Sequence, residues 1–145
     1  MPEILSSANT LLSGELFWLT ATTTMTALLW LPYITNWIVE KGFVAAIWNP
    51  TEYDHSQARA AWARRMLKAH ENATENLAVF APLVLILHAV NFSTPVTLKA
   101  CAVYFTARLV HVVAFTLAIP ALRVISFLVG FGAQMVLAWA ILSTL

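Results

Sequence analysis

The sequence predicts an all-α integral membrane protein: four transmembrane helices form an up-down-up-down bundle in a single domain, residues 1–145. The first observation is composition, because 60% of the residues are hydrophobic and only 10% are charged, unlike a soluble domain. The second is a set of four apolar segments with plausible spanning length, which is about 20 helical residues. The third is that two of the connections are short, which makes consecutive helices antiparallel neighbours.

The apolar segments define the predicted spans 1 to 4, in order Leu16–Val39, Asn76–Val90, Pro95–Ile119 and Val124–Ser143. Span 2 is short for a crossing by itself. Its helix is expected to begin near Ala58, because the stretch "QARAAWARRMLKAHENATENL" contains no Pro or Gly and is rich in good helix formers. Pro120 starts or immediately precedes the fourth helix, since Pro fits the first turn.

The connections differ in length and charge. A long one runs from Glu40 to about Gln57 and contains the turn signal "NPTEYD", Asn49–Asp54, while "NFSTP" forms the second turn. Bases concentrate in or beside the span 1–2 and span 3–4 connections: Lys41, Arg59, Arg64, Arg65, Lys68 and Arg123. Both connections are therefore expected to be cytoplasmic, with both termini on the other side. Residues 1–15 hold no Lys, Arg or apolar run, so we expect no signal peptide.

Charge and cysteine content exclude several classes of protein. A net charge of +1 without a basic run interleaved with aromatic residues gives no indication of nucleic-acid binding. The single cysteine, Cys101, excludes an internal disulfide and a multi-cysteine metal site, and no metal is expected. Cys101 itself is expected to be a small buried hydrophobe.

Helical projection at 100° per residue groups polar residues on one face of each predicted helix. On the second helix the face holds Arg64, Lys68, Glu71, Asn72, Glu75 and Val79, which we call the polar stripe. On the third helix it holds Tyr104, Arg108, His111 and Phe115; on the fourth, Arg123, Phe127, Gly130 and Gln134; and on the first, Pro32, Asn36 and Glu40. Three helices thus bring a cation and a hydrogen-bonding partner toward the cytoplasmic half. This convergence favours a small polar, anionic ligand near the membrane interface.

Arg108 is the most informative single residue, because it lies well inside span 3, where an unpaired charge is costly. Glu75 is the expected partner. A simpler interpretation of the pair is that it stabilises the contact between two helices without binding a ligand. A simpler interpretation of the polar stripe is that it forms a surface facing solvent and lipid headgroups. Asn36 can satisfy backbone groups freed by a kink at Pro32.

The stretch Lys68-Ala69-His70-Glu71-Asn72-Ala73-Thr74-Glu75 resembles a signature of the MAPEG family, membrane-associated proteins in eicosanoid and glutathione metabolism. The resemblance continues through "NLAVFAPL", "ARLVHVVAF" and "ALRVISF", and the end of the first helix is similar to that of bacterial members. It implies a homotrimer of four-helix subunits in the bacterial inner membrane. It also implies that glutathione is the co-substrate, bound near the cytoplasmic face between subunits.

The resemblance further implies which residues form the glutathione site. Those that bind glutathione or support its site are Lys68, Asn72, Glu75, Arg108, His111, Phe115 and Phe127. Asn72, Glu75 and Arg108 are also implied to bind it as the cofactor, and Arg123 is the implied catalytic residue. Phe115 and Phe127 stand where characterised members often have Tyr, Glu71 where some have Arg, and Val124 where one branch has Ser.

The implied reaction is attack by the glutathione thiolate on a lipophilic electrophile or a lipid hydroperoxide. Arg123 suits the activation of this thiolate, because it lies in the first turn of the fourth helix, where the helix dipole adds to its charge. The alternative is a non-catalytic MAPEG-fold protein that binds another small anion or a lipid. A transporter or channel is disfavoured, since the polar residues stay in the cytoplasmic half, with only Lys99 and Gln134 elsewhere, and no continuous charged pathway crosses the membrane.

Overall fold

The structure is a computed structural model that describes residues 14–48, 58 and 60–144. Within these ranges the chain forms only helices: α1 Gly14–Leu28, α2 Trp30–Lys41, α3 Phe43–Trp48, α4 Ala61–Ala89, α5 Pro95–Thr116 and α6 Pro120–Leu142. The predicted all-α class is confirmed, and the protein is an integral membrane protein. Among the described residues, α4, α5 and α6 are long and apolar enough to cross a membrane.

Span 1 differs from its prediction, because its helix is interrupted at Leu29 and becomes α1 and α2. The amide of Leu29 bonds to the carbonyl of Thr26, three residues back, instead of continuing the four-residue pattern. Pro32 has no N–H to give to the carbonyl four residues before it, so the interruption lies where Pro32 weakens the helix. Neither half is long enough by itself to count as a span.

The long connection after span 1 is partly helical, which the sequence did not predict. Gly42 ends α2 with φ of +86°, a conformation that favours glycine, and α3 follows at once. The predicted turn at Asn49–Asp54 lies outside the described residues.

The predicted boundaries of the other helices hold within a few residues. α4 begins at Ala61, close to the expected Ala58, and α5 and α6 each carry a proline in the first turn. Thr94 caps α5 by accepting from the Thr97 amide, and the Thr97 hydroxyl accepts from the Thr94 amide in return.

The bundle core is apolar in its middle and polar at both ends. Leu19, Phe80, Val84 and Leu137 pack together in its middle, and Cys101 is fully buried among them, as predicted. At the α5 N-terminus the buried Glu15 carboxylate accepts hydrogen bonds from Thr97, at 2.7 Å, and from Ser93, at 2.8 and 3.1 Å. The opposite end holds the residues predicted to form the ligand site.

Candidate functional site

Arg123 lies at the corner where α5 ends and α6 begins. Because α6 starts at Pro120, Arg123 is in its first turn, and no side chain caps this helix end. The guanidinium is exposed and stacks on the Phe115 ring, with 4.9 Å between the guanidinium carbon and the ring centroid. The helix N-terminus and the guanidinium together make this corner favourable for an anion.

His111 is the buried neighbour of this corner, with 3% of its surface exposed. Its Nδ1 lies 2.9 Å from the carbonyl oxygen of Arg123, which requires a proton on Nδ1. The other ring nitrogen is buried and has no hydrogen-bond partner among the described residues. The ring contacts Phe115 and Phe127, with centroid separations of 5.8 and 5.9 Å. The structure therefore brings together four of the predicted site residues: His111, Phe115, Arg123 and Phe127.

Arg108 is paired with Asn72 on α4. One terminal nitrogen, Nη2, donates to the Asn72 side-chain oxygen at 2.6 Å, and the side chain is 1% exposed. The other two nitrogens, Nε and Nη1, are buried without a hydrogen-bond partner in the described part of the chain. Gly130 on α6 faces the Arg108 stem, and a Cβ there would lie 3.5 Å from Cδ.

The predicted ion pair between Glu75 and Arg108 is wrong for the single chain. Glu75 is exposed, and no ion pair joins it to Arg108 within the described residues. The reason is the orientation of α4, whose buried face follows Ala69, Ala73 and Phe80, with Asn72 at its edge. Glu75 projects well away from that face and cannot reach into the bundle.

The outward face of α4 carries Lys68 and Glu71, which form an ion pair of 2.8 Å between Nζ and Oε2. Glu71 and Glu75 line a groove of about 500 Å³ together with His70 and Tyr33. The Tyr33 hydroxyl lies 3.0 Å from His70 Nδ1 and so joins α2 to α4. Lys68, Glu71 and Glu75 therefore face outward from the single chain and not toward Arg123, while Asn72 turns toward Arg108.

The sequence did not predict that Ser126 and Gln134 bridge neighbouring helices, or that the Tyr104 ring stacks on Phe80 with 3.8 Å between centroids. The Ser126 hydroxyl is 3.5 Å from His111 Nδ1 and donates to the Leu122 carbonyl, and serine one turn after Arg123 was the available signal. The Gln134 amide donates to the Asn76 carbonyl at 3.1 Å. Both contacts join helices that the projection treated separately.

An apolar groove of about 410 Å³ lies between α5 and α6 on the outer surface of the bundle. Its lining includes Val103, Ala107, Val110, Ile125, Ser126 and Val129. Because Ser126 also approaches His111, the groove ends beside the Arg123 corner.

Comparison with known proteins gives one family. The model of the MAPEG family matches residues 20–143, which is most of the chain. No curated protein and no solved structure matches the chain significantly.

Proposed function

The chain belongs to the MAPEG family, and from this premise we propose that it is a membrane-bound glutathione transferase or peroxidase acting on lipophilic substrates. The family includes such enzymes as well as members without catalytic activity, and its members commonly use glutathione. The observation that carries the proposal is the Arg123 corner, where an exposed guanidinium lies in the uncapped first turn of α6.

The donors and acceptors present fit glutathione, which has two carboxylates, an ammonium group and a thiol. Lys68 and Asn72 provide donors for a carboxylate, and Glu75 provides an acceptor for the ammonium group. We propose that they act on α4 of one subunit against the Arg123 corner of its neighbour in a homotrimer. The outward direction of Lys68 and Glu75 supports this arrangement, since the single chain does not bring these side chains together with Arg123.

In this proposal Arg123 stabilises the thiolate. A thiol with a pKa of about 8.5 is only a few per cent ionised at neutral pH, and a nearby cation and helix N-terminus increase that fraction. The thiol proton passes to solvent, and the thiolate sulfur attacks the electrophilic carbon of the substrate, which forms the S–C bond and expels the leaving group. With a hydroperoxide, the thiolate breaks the O–O bond to give an alcohol and a sulfenic acid. A second glutathione converts this acid to the disulfide and water.

The lipophilic substrate is proposed to lie in the groove between α5 and α6. The groove is apolar over most of its lining and lies on the outer surface of the bundle, where we propose that it faces the lipid. Ser126, which lines the groove and approaches His111, supports a position of the substrate near Arg123. We further propose that α1 and α2 together form the first of four membrane crossings, because residues 14–41 are helical apart from Leu29.

The alternative is a non-catalytic MAPEG protein that binds another small anion or a lipid. The specific observation in its favour is that both rings beside His111 are Phe, so neither Phe115 nor Phe127 offers a hydroxyl to a sulfur atom.

The deciding experiment measures glutathione binding to detergent-purified protein by calorimetry, together with the ultraviolet absorbance of the bound thiolate. Binding with a thiolate signal that is lost in Arg123→Ala and retained in Arg123→Lys supports the transferase or peroxidase. The matched control is Lys99→Ala, which removes an exposed cation near the opposite end of α5 and should change neither signal. Failure of the wild type to bind millimolar glutathione refutes the proposal.

A further inference from the structure

The hydrogen bond between Arg108 and Asn72 fixes the orientation of the Asn72 amide. A guanidinium has N–H donors only and cannot accept a hydrogen bond. Whichever end of the Asn72 side chain approaches Arg108 Nη2, at 2.6 Å, must therefore be the carbonyl oxygen. The carbonyl oxygen of Asn72 thus faces Arg108, because donor–acceptor chemistry allows no other orientation of the amide.

The NH₂ group of Asn72 then points away from Arg108. It has no hydrogen-bond partner among the described residues, and it is not fully buried. Asn72 is half-buried at the edge of the α4 face that packs into the bundle. Its two N–H groups are thus available to a ligand on the outer surface of α4.

The neighbours of Asn72 on α4 determine which ligand group these donors meet. Lys68 precedes Asn72 by four residues and lies on the same ridge of the helix, so its ammonium group and the Asn72 NH₂ are adjacent donors. Glu75 follows by three residues and offers an acceptor. Glu71 is paired with Lys68, so the two donors and the remaining acceptor, Glu75, match a carboxylate that lies next to an ammonium group, as at an α-amino acid end.

Arg108 itself is unable to make a direct contact in this arrangement. It is 1% exposed, and its Nε and Nη1 atoms are enclosed by the protein. The only side chain in the described chain to which its guanidinium donates is Asn72. Its influence on a ligand therefore passes through Asn72.

We propose that Arg108 is a positioning residue that holds Asn72 as a hydrogen-bond donor to a ligand carboxylate. This inference rests on the proposed function and specifies how its site recognises the acid. The resemblance leaves open whether Arg108 binds glutathione or supports its site; this inference assigns it the supporting role and excludes the Asn72 side chain as an acceptor for the ligand ammonium group.

Asn72→Asp separates this role from a merely structural one. Asp forms a charged pair with Arg108, so folding should be maintained or improved, and the unfolding temperature in detergent measures this. The same change removes both donors and places a negative charge beside the ligand acid. Glutathione binding should weaken on the order of tenfold or more, while the unfolding temperature is equal or higher.

Binding of modified ligands shows whether the protein recognises the carboxylate itself. Wild-type protein should bind glutathione more tightly than the monoethyl ester that masks the recognised carboxylate, and Asn72→Asp should lose that preference. The control is Asn91→Asp, which introduces the same charge in the turn before α5 and should alter neither affinity nor preference.

A double-mutant cycle tests whether Arg108 acts through Asn72. Arg108→Met should weaken binding in the wild-type background and have no further effect in the Asn72→Ala background. Additional loss in that background would mean a direct contact and would overturn the inference, as would unchanged affinity in Asn72→Asp. In both cases the wild type still binds glutathione and the proposed function stands; if the wild type does not bind, both are refuted.

Discussion

Replacing Glu71 with Gln tests whether the ion pair on α4 weakens the ligand site. Lys68 Nζ lies 2.8 Å from Glu71 Oε2, and the two side chains are 59% and 48% exposed. The pair directs the ammonium of Lys68 toward a residue of the same helix, and Glu71 also repels an incoming carboxylate. Glu71→Gln should therefore tighten the binding of glutathione.

The expected gain is small because both groups are in contact with solvent. An exposed ion pair contributes about 0.2 to 1 kcal/mol. Repulsion between Glu71 and a ligand carboxylate about 8 Å away adds roughly 0.5 kcal/mol in water. The sum of about 0.7 to 1.5 kcal/mol corresponds to a dissociation constant about three- to tenfold lower.

Calorimetric titration with glutathione at low salt measures this change. The gain should shrink at about 1 M salt, where the Debye length falls to about 3 Å. The matched control is Glu75→Gln one turn along the helix, which removes the proposed ammonium acceptor and should weaken binding. Equal or weaker binding by Glu71→Gln at low salt would refute the reasoning.

Two further predictions concern stability and are read from thermal unfolding in detergent. Glu15→Ala should destabilise the bundle by about 1 to 3 kcal/mol, because the buried Thr97 hydroxyl and the Ser93 hydroxyl lose their acceptor, whereas Glu15→Gln should retain most of the stability. Equal unfolding temperatures for the two variants would contradict this. Arg65→Ala should cost about 1 to 3 kcal/mol, because Arg65 Nε donates to the Thr116 carbonyl at 2.8 Å, and should leave glutathione affinity unchanged. A change in affinity without a loss of stability would contradict that interpretation.

Much of the helical framework could be predicted from local signals. Pro95 and Pro120 fit the first turns of α5 and α6, and the "NFSTP" turn separates two long apolar runs. The early start of α4 followed from a stretch without Pro or Gly. Such signals depend only on residues close in sequence, so they can be recognised without knowledge of the tertiary contacts.

The partner of Arg108 was not predictable in this way. Projection places Asn72 and Glu75 in one sector of α4, but it does not show which edge of that sector faces α5. The structure turns Asn72 inward and leaves Glu75 exposed. The interruption of the first helix at Leu29 was likewise not predicted, although a kink at Pro32 was.

The buried guanidinium of α5 has a consequence for how the chain enters the membrane. An Arg near the centre of an isolated transmembrane helix costs about 2.5 to 3.5 kcal/mol on insertion scales, so α5 alone is a poor candidate for stable insertion. Asn72 belongs to the preceding helix and is synthesised before Arg108, so the acceptor is already in place when the cation leaves the translocon. α6 packs extensively on α5 and follows after a short turn. We therefore expect α5 and α6 to insert as a hairpin that packs on an α4 already in the membrane, and deletion of α4 should leave α5 unpaired and subject to membrane quality control.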